Sequence, residues 1–292
     1  RLHPGKPLSD RPMTPLVLVF ALAASTPPPP TLRFGPGTVF IEEWPERRDL
    51  NFEILIDNTG GPARELAAIE LSAYDAQGRL QLRRLLDGNG VRPSIQTLPD
   101  RQVPPNGKLT VFNPFAGFPR AQQLSKLHYE LRFDGPEGSA ETRAAIDVSP
   151  HAVAPRAGAA LPLRGPVLNY DGHDFYAHHR RFDTSFAPIA ALGFRGNFMR
   201  YAYDFVPVDA RGEAHRGDGA ANADWIGFGQ QVLASADGVV VSTQNARPDD
   251  RQFDQGQLAT QPWVLFGNYV LLDYGHGRFG VYAHLQQGSV RP

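Results

Sequence analysis

Leu127-His128-Tyr129-Glu130-Leu131-Arg132-Phe133 alternates apolar and polar residues along its whole length. A β-strand turns successive side chains to opposite faces, so Leu127, Tyr129, Leu131 and Phe133 share one face. His128 then points the other way and reads as a solvated strand histidine rather than a ligand. Working outward, short apolar runs recur at Leu50–Asp57, Leu66–Tyr74, Lys108–Phe112 and Thr142–Val148, with turn sequences between them such as Asn58-Thr59-Gly60-Gly61. Short strands at this spacing predict an antiparallel β-sandwich over residues 31–148. No pairing of titratable groups in that span reads as catalytic, and its expected role is structural or adhesive.

Composition narrows the chemistry. The 292 residues suffice for about two domains. With 41% hydrophobic and 20% charged residues, a packed core is expected rather than disorder. The net charge is -1 and no Lys/Arg-rich run occurs, so nothing draws the chain to nucleic acid. There is no cysteine, which excludes thiol nucleophiles, disulfides and thiolate zinc sites. Any metal must be held by His, Asp or Glu. Near the N-terminus, Met13 precedes the apolar run Pro15–Ala24, which is too short to span a bilayer and closes on the signal-peptidase-like Ala21-Leu22-Ala23. Residues 1–30 are therefore expected to be a signal peptide and Pro-rich spacer, leading to a periplasmic, cell-envelope or extracellular location with no membrane span beyond that peptide.

Residues 149–165 are rich in Pro and Ala and read as a linker. Beyond it the histidines gather: six of nine lie between His173 and His284. Four stretches carry the chemistry there. Asn197–Val206 contains Arg200 and Asp204. Gly229–Val241 and Gly267–Gly277 read as strands joined by Gly-rich turns, and Val281-Tyr282-Ala283-His284-Leu285 follows. Asp204 lies in an aromatic run, where an ionised carboxylate needs a partner.

These motifs resemble the LytM/lysostaphin-type zinc endopeptidases. Gly229, Val232, Ala234, Gly238 and Val240 fall on the family's Gly-x-x-Val-x-Ala-x-x-x-Gly-x-Val pattern, and Tyr282-Ala283-His284-Leu285 on its Tyr-x-His-Leu. The resemblance spans roughly the last 130 residues. It implies a duplicated-hybrid-motif domain over residues 166–292, one Zn²⁺, and cleavage of peptidoglycan cross-link peptides. Asp204 would be a zinc ligand and His284 the histidine that assists the attacking water. The fold class expected overall is mostly β: an Ig-like sandwich followed by a LytM-type peptidase-like domain that ends before its last motif.

The chain departs from the family pattern twice. Arg200 stands four residues before Asp204, where the family has histidine, and a guanidinium has no lone pair to ligate with. The family's final His-x-His would fall after Pro292. The Asp171–Arg181 stretch then offers either a polar surface loop or a substitute ligand, His178 or His179. Arg200 either pairs with Asp204 or faces the substrate. His215 and His276 read as loop and turn residues. Three functions compete: a zinc endopeptidase, a non-catalytic relative that binds wall material or regulates a cell-wall amidase, and an adhesion protein working through its β-sandwich. With the ligand set incomplete, no hydrolysis is expected of this chain.

Overall fold

The computed structural model describes residues 27–137, 139–153, 159–172, 174–194 and 196–291. The expected signal peptide and its cleavage site lie outside these residues, as does His173. The protein is mostly β, with 37% strand and 7% helix in several antiparallel sheets, and no barrel closes among the described residues. Among the described residues no helix is long and apolar enough to cross a membrane.

The first half runs β1 (Thr31–Gly35), β2 (Phe40–Glu43), β3 (Arg47–Leu50), β4 (Glu53–Asp57), β5 (Arg64–Tyr74) and β6 (Leu80–Leu86). It continues with β7 (Gln102–Val103), β8 (Lys108–Phe112), β9 (Gly117–Pro119), β10 (Lys126–Asp134), β11 (Thr142–Val148) and β12 (His151–Ala152). Three sheets result, with strand orders β1-β4-β8, β11-β10-β5-β6 (β7 adding to β5) and β12-β2-β3-β9. The stretch expected to be linker from Ser149 thus holds a short strand near its start, β12, which pairs in parallel with β2.

The alternating strand sits at the centre of this half. Leu127, Tyr129, Leu131 and Phe133 are all 0% exposed, while His128 on the opposite face bonds Asp147 of β11 at 2.7 Å. The Tyr129 hydroxyl, neutral because burial pushes its pKa far up, donates to Asn113 Oδ1 at 2.9 Å. In β5 the partners of Arg132 and Phe133 are Ala68 and Leu66, so Ala67 is an extra residue. A bulge of this kind shifts the phase of side-chain alternation by one. Leu66 is buried before the shift and Ile69, Leu71 and Ala73 after it, so the strand keeps apolar residues in the core on both sides of the bulge.

One sequence expectation is corrected. Leu50–Asp57 is not a single strand: the chain leaves β3 at Leu50, crosses Asn51 and Phe52, and enters β4 in a different sheet. Phe52 is 1% exposed and its ring packs edge-on against Tyr129 at 5.7 Å, so the crossing is anchored in the core. Burial at that site outweighs the continuity of the apolar pattern.

The second half has β13 (Val167–Asp171) paired with β14 (Asp204–Pro207), and a meander of β15 (Val239–Gln244), β16 (Asn268–Asp273) and β17 (Phe279–Leu285). The Gly229 motif forms a strand only from Val239. A Cβ on Gly238 would come within 2.9 Å of the Asp273 carbonyl oxygen, so glycine lets β15 start against the end of β16. Before it, Leu233 N–H donates to Pro162 O at 2.8 Å and Ala160 N–H to Ser235 O at 2.9 Å, which ties this stretch to the end of the linker. Aromatic rings hold the half together. Phe198 contacts Phe182, Phe194 and Phe266 at 4.9–5.4 Å, and Phe266 contacts Tyr269 of β16 at 5.9 Å.

Leu131→Ala is expected to cost about 2–5 kcal/mol, whereas Glu130→Ala on the wet face of the same strand costs less than about 1 kcal/mol. Urea unfolding midpoints at unchanged m-value check both.

Candidate metal centre

The β13–β14 ladder slips register after Asn169, so that Asp171 becomes the cross-strand partner of Asp204. Two like charges opposite one another disfavour the pairing unless cationic or hydrogen-bonding groups meet them. The turn at His178 and His179 supplies those groups. The Asp171 carboxylate pairs with His178 Nδ1, and Asp204 Oδ2 lies 3.5 Å from His179 Nε2. Burial works against the Asp171 anion, but the Gly172 N–H and His178 hold its pKa below the usual carboxylate range.

His179 is the buried member, 5% exposed, and its orientation is set from both sides. Asn197 donates through Nδ2 to the His179 carbonyl at 2.7 Å and to the Arg180 carbonyl at 3.1 Å. The Nδ1 atom lies 3.3 Å from the Ala202 carbonyl oxygen, an acceptor only, so Nδ1 carries the proton. Nε2 is left facing a carboxylate oxygen at a distance long for a hydrogen bond. Two ligands on one tetrahedral zinc, each about 2.1 Å from it, stand roughly 3.4 Å apart. The observed 3.5 Å therefore fits a shared cation. One ligand atom each from His178, His179 and Asp204 lie within 4.8 Å of one another. A ligating histidine whose other ring nitrogen is held by a carboxylate or a carbonyl is the usual arrangement at metal sites, and His178 and His179 have those two supports. The donor set fits zinc.

His284 approaches from the meander. Asn268 pairs with Leu285 and Val270 with Tyr282, so Ala283 and His284 together face Tyr269 in a bulge. His284 has φ 59°, a left-handed setting that costs a residue with a Cβ roughly 1–2 kcal/mol. Asn268, 3% exposed, accommodates that geometry by donating to the Leu285 carbonyl at 3.1 Å and the Arg247 carbonyl at 2.9 Å. One side of His284 is open to water, yet the protein around the ring desolvates it and lowers its pKa, opposed by the nearby Asp204 charge. Asp204 and His284 thus border the same region.

Arg200 requires a correction. Its ion-pair partner is Glu53 of β4 at 2.6 Å, not Asp204, and with both side chains almost fully buried it does not face an open cleft. The turn reading holds for His276, with φ 56° between Gly275 and Gly277, whereas His215, expected in a loop, forms an isolated antiparallel bridge with Trp225, its ring 4.9 Å from that indole. Sequence reasoning missed Asp171, Asn197 and Glu53. Asp171 carried a usable signal, since a carboxylate seven residues before His178 can reach it around a turn. Glu53 carried none, as nothing local joins it to a residue 147 positions away.

No family model matches the chain. No curated protein matches it either. Among solved structures, one described as "X-ray structure of Northeast Structural Genomics Consortium target SoR45" aligns at 13% identity and a TM-score of 0.32, covering 43% of this chain and 90% of that one. At that score the likeness says nothing of fold or activity.

In metal-free protein, ¹⁵N NMR of the His284 ring is expected to give a midpoint below the ordinary histidine value of about 6.5. Asp204→Asn should lower it further, because the carboxylate is the influence that raises it. The stability linked to this group is present above the ordinary value and is lost as pH falls through the lowered one.

Proposed function

We propose that this chain is an exported zinc endopeptidase of the LytM/lysostaphin type, an Ig-like β-sandwich followed by a duplicated-hybrid-motif domain, acting on peptidoglycan cross-link peptides. The observation that carries the proposal is the meeting of His178, His179 and Asp204 within 4.8 Å, with His284 near enough to sense the Asp204 charge. Two imidazoles and a carboxylate are a donor set of catalytic zinc, with the fourth position left to water or substrate. Bound there, zinc supplies Lewis acidity, polarising a peptide carbonyl and acidifying a water molecule.

The chain's own groups divide the remaining work. Asp171 holds the His178 ring, and the Ala202 carbonyl fixes the His179 tautomer with Nε2 free to ligate. His284, its pKa lowered by desolvation, is neutral at pH 7 and offers a ring nitrogen that accepts a proton. In this reading the two ligands that the family draws from other positions come from the turn before Arg200, and activity is the outcome to test against the expectation of an inactive chain.

A second reading, a relative that binds wall material or regulates a cell-wall amidase, has one observation in its favour. Arg200 occupies a family ligand position and is sealed against Glu53, so the site depends on a turn whose outer histidine, His178, is 64% exposed at its side chain.

The purified full chain is expected to hold one zinc per molecule by atomic emission, and His179→Ala and Asp204→Ala each to lose it. His284→Ala should keep the zinc and slow cleavage of wall cross-link peptides by about a hundredfold or more. A folded, zinc-free wild type that still sediments with wall material would select the second reading.

A further inference from the structure

We propose that Glu53 is a positioning residue for the metal centre: its buried pair with Arg200 fixes the separation between the His178–His179 turn and Asp204. The inference rests on the metal-centre reading above and adds a structural duty for the N-terminal half.

His178 and His179 lie on a turn outside any strand, tied to Asp204 at the start of β14 through Asp171 of β13 and through the Ala202 carbonyl. Both segments are also anchored to one short stretch of the first half, Leu50 to Glu53, where the chain crosses between sheets. Arg180, next to His179, donates through Nη2 to the Leu50 carbonyl at 2.9 Å. Arg200, four residues before Asp204, donates through Nη2 to Glu53 Oε2 at 2.6 Å and through Nη1 to the Asn51 carbonyl at 3.2 Å. The Asn51 side chain returns a bond to the Arg200 carbonyl at 3.3 Å. Asn197 closes the arrangement by holding the carbonyls of His179 and Arg180.

Of these contacts, the Glu53–Arg200 pair is the one in which two full charges meet out of water, at side-chain exposures of 6% and 5%. Neutralising the carboxylate leaves the guanidinium charge buried without its counter-charge, which drives it to seek water or another anion. The nearest consequence is movement of the segment that ends at Asp204. The His179 Nε2–Asp204 Oδ2 distance, on which a shared cation depends, would change with it.

The test compares the full-length wild type with Glu53→Gln, which preserves shape, and with Arg200→Lys, which preserves charge but loses the two-pronged contact. Zinc affinity is read by competition with a chromophoric chelator, and the metal-free His179 ring by ¹⁵N NMR. Glu53→Gln should weaken zinc about 10–100-fold and alter the His179 Nδ1–H tautomer signature, with Arg200→Lys intermediate. A Glu53→Gln variant that binds zinc like wild type with unmoved His179 signals overturns the inference. A wild type that binds no zinc sinks the metal reading, and the His179 signals then decide alone: moved in the variant, the positioning role stands; unmoved, it falls. If Glu53→Gln does not fold, Arg200→Lys is measured by the same two readouts: weaker zinc with moved His179 signals supports the inference, and wild-type behaviour in both overturns it.

Discussion

Backbone carbonyls that leave one sheet before the chain enters another must find donors elsewhere, and two arginines meet that demand here. Between β3 and β4 the carbonyls of Leu50 and Asn51 accept from Arg180 and Arg200, and Asn113 Nδ2 also reaches Leu50 O at 3.3 Å. Both arginines belong to the second half of the chain. A buried guanidinium is tolerated only with its donors satisfied and its charge met, which Glu53 does for Arg200. Desolvation raises the Glu53 pKa, and the Arg200 guanidinium works against that rise. The crossing between sheets, the contact between the halves and the placement of Asp204 are therefore one structural problem with one solution.

The candidate metal centre follows the same logic of mutual satisfaction. Asp171 and Asp204 are neighbours on a slipped ladder, and His178 and His179 are neighbours on a turn whose rings lie 4.2 Å apart. Neither pair is comfortable alone. Brought together, each carboxylate meets an imidazole, with His179 Nε2 and Asp204 Oδ2 3.5 Å apart. His284 is placed by a different device, a bulge with a left-handed residue, which uses backbone strain to direct one side chain.

The apolar strands of the first half were legible because their signal is local. Thr142–Val148 and Lys108–Phe112 are strands over those same residues, and the Leu127–Phe133 face is buried as its alternation requires. The switch at Asn51–Phe52 was not legible, because period-two patterning does not say which sheet a strand joins. In the second half Asp204 stood out by its aromatic setting and the motif resemblance, while His178 and His179 were only substitute ligands beside a surface-loop reading. The partner of Arg200 could not be read, since a buried charge announces that it needs a counter-charge without saying where in the chain that lies.

By itself the sequence determined a mostly β chain, a wet and a dry face for its central strand, a restriction of any metal site to nitrogen and oxygen donors, and a short set of histidines and carboxylates able to form one. Only the tertiary structure decided that His178, His179 and Asp204 meet, that Arg200 turns inward to Glu53, and that His284 rides on a bulge. The reason is physical: alternation and residue chemistry act over a few positions, whereas the desolvation of a charge is resolved by whatever group the fold brings within about 3 Å, however far away it lies along the chain.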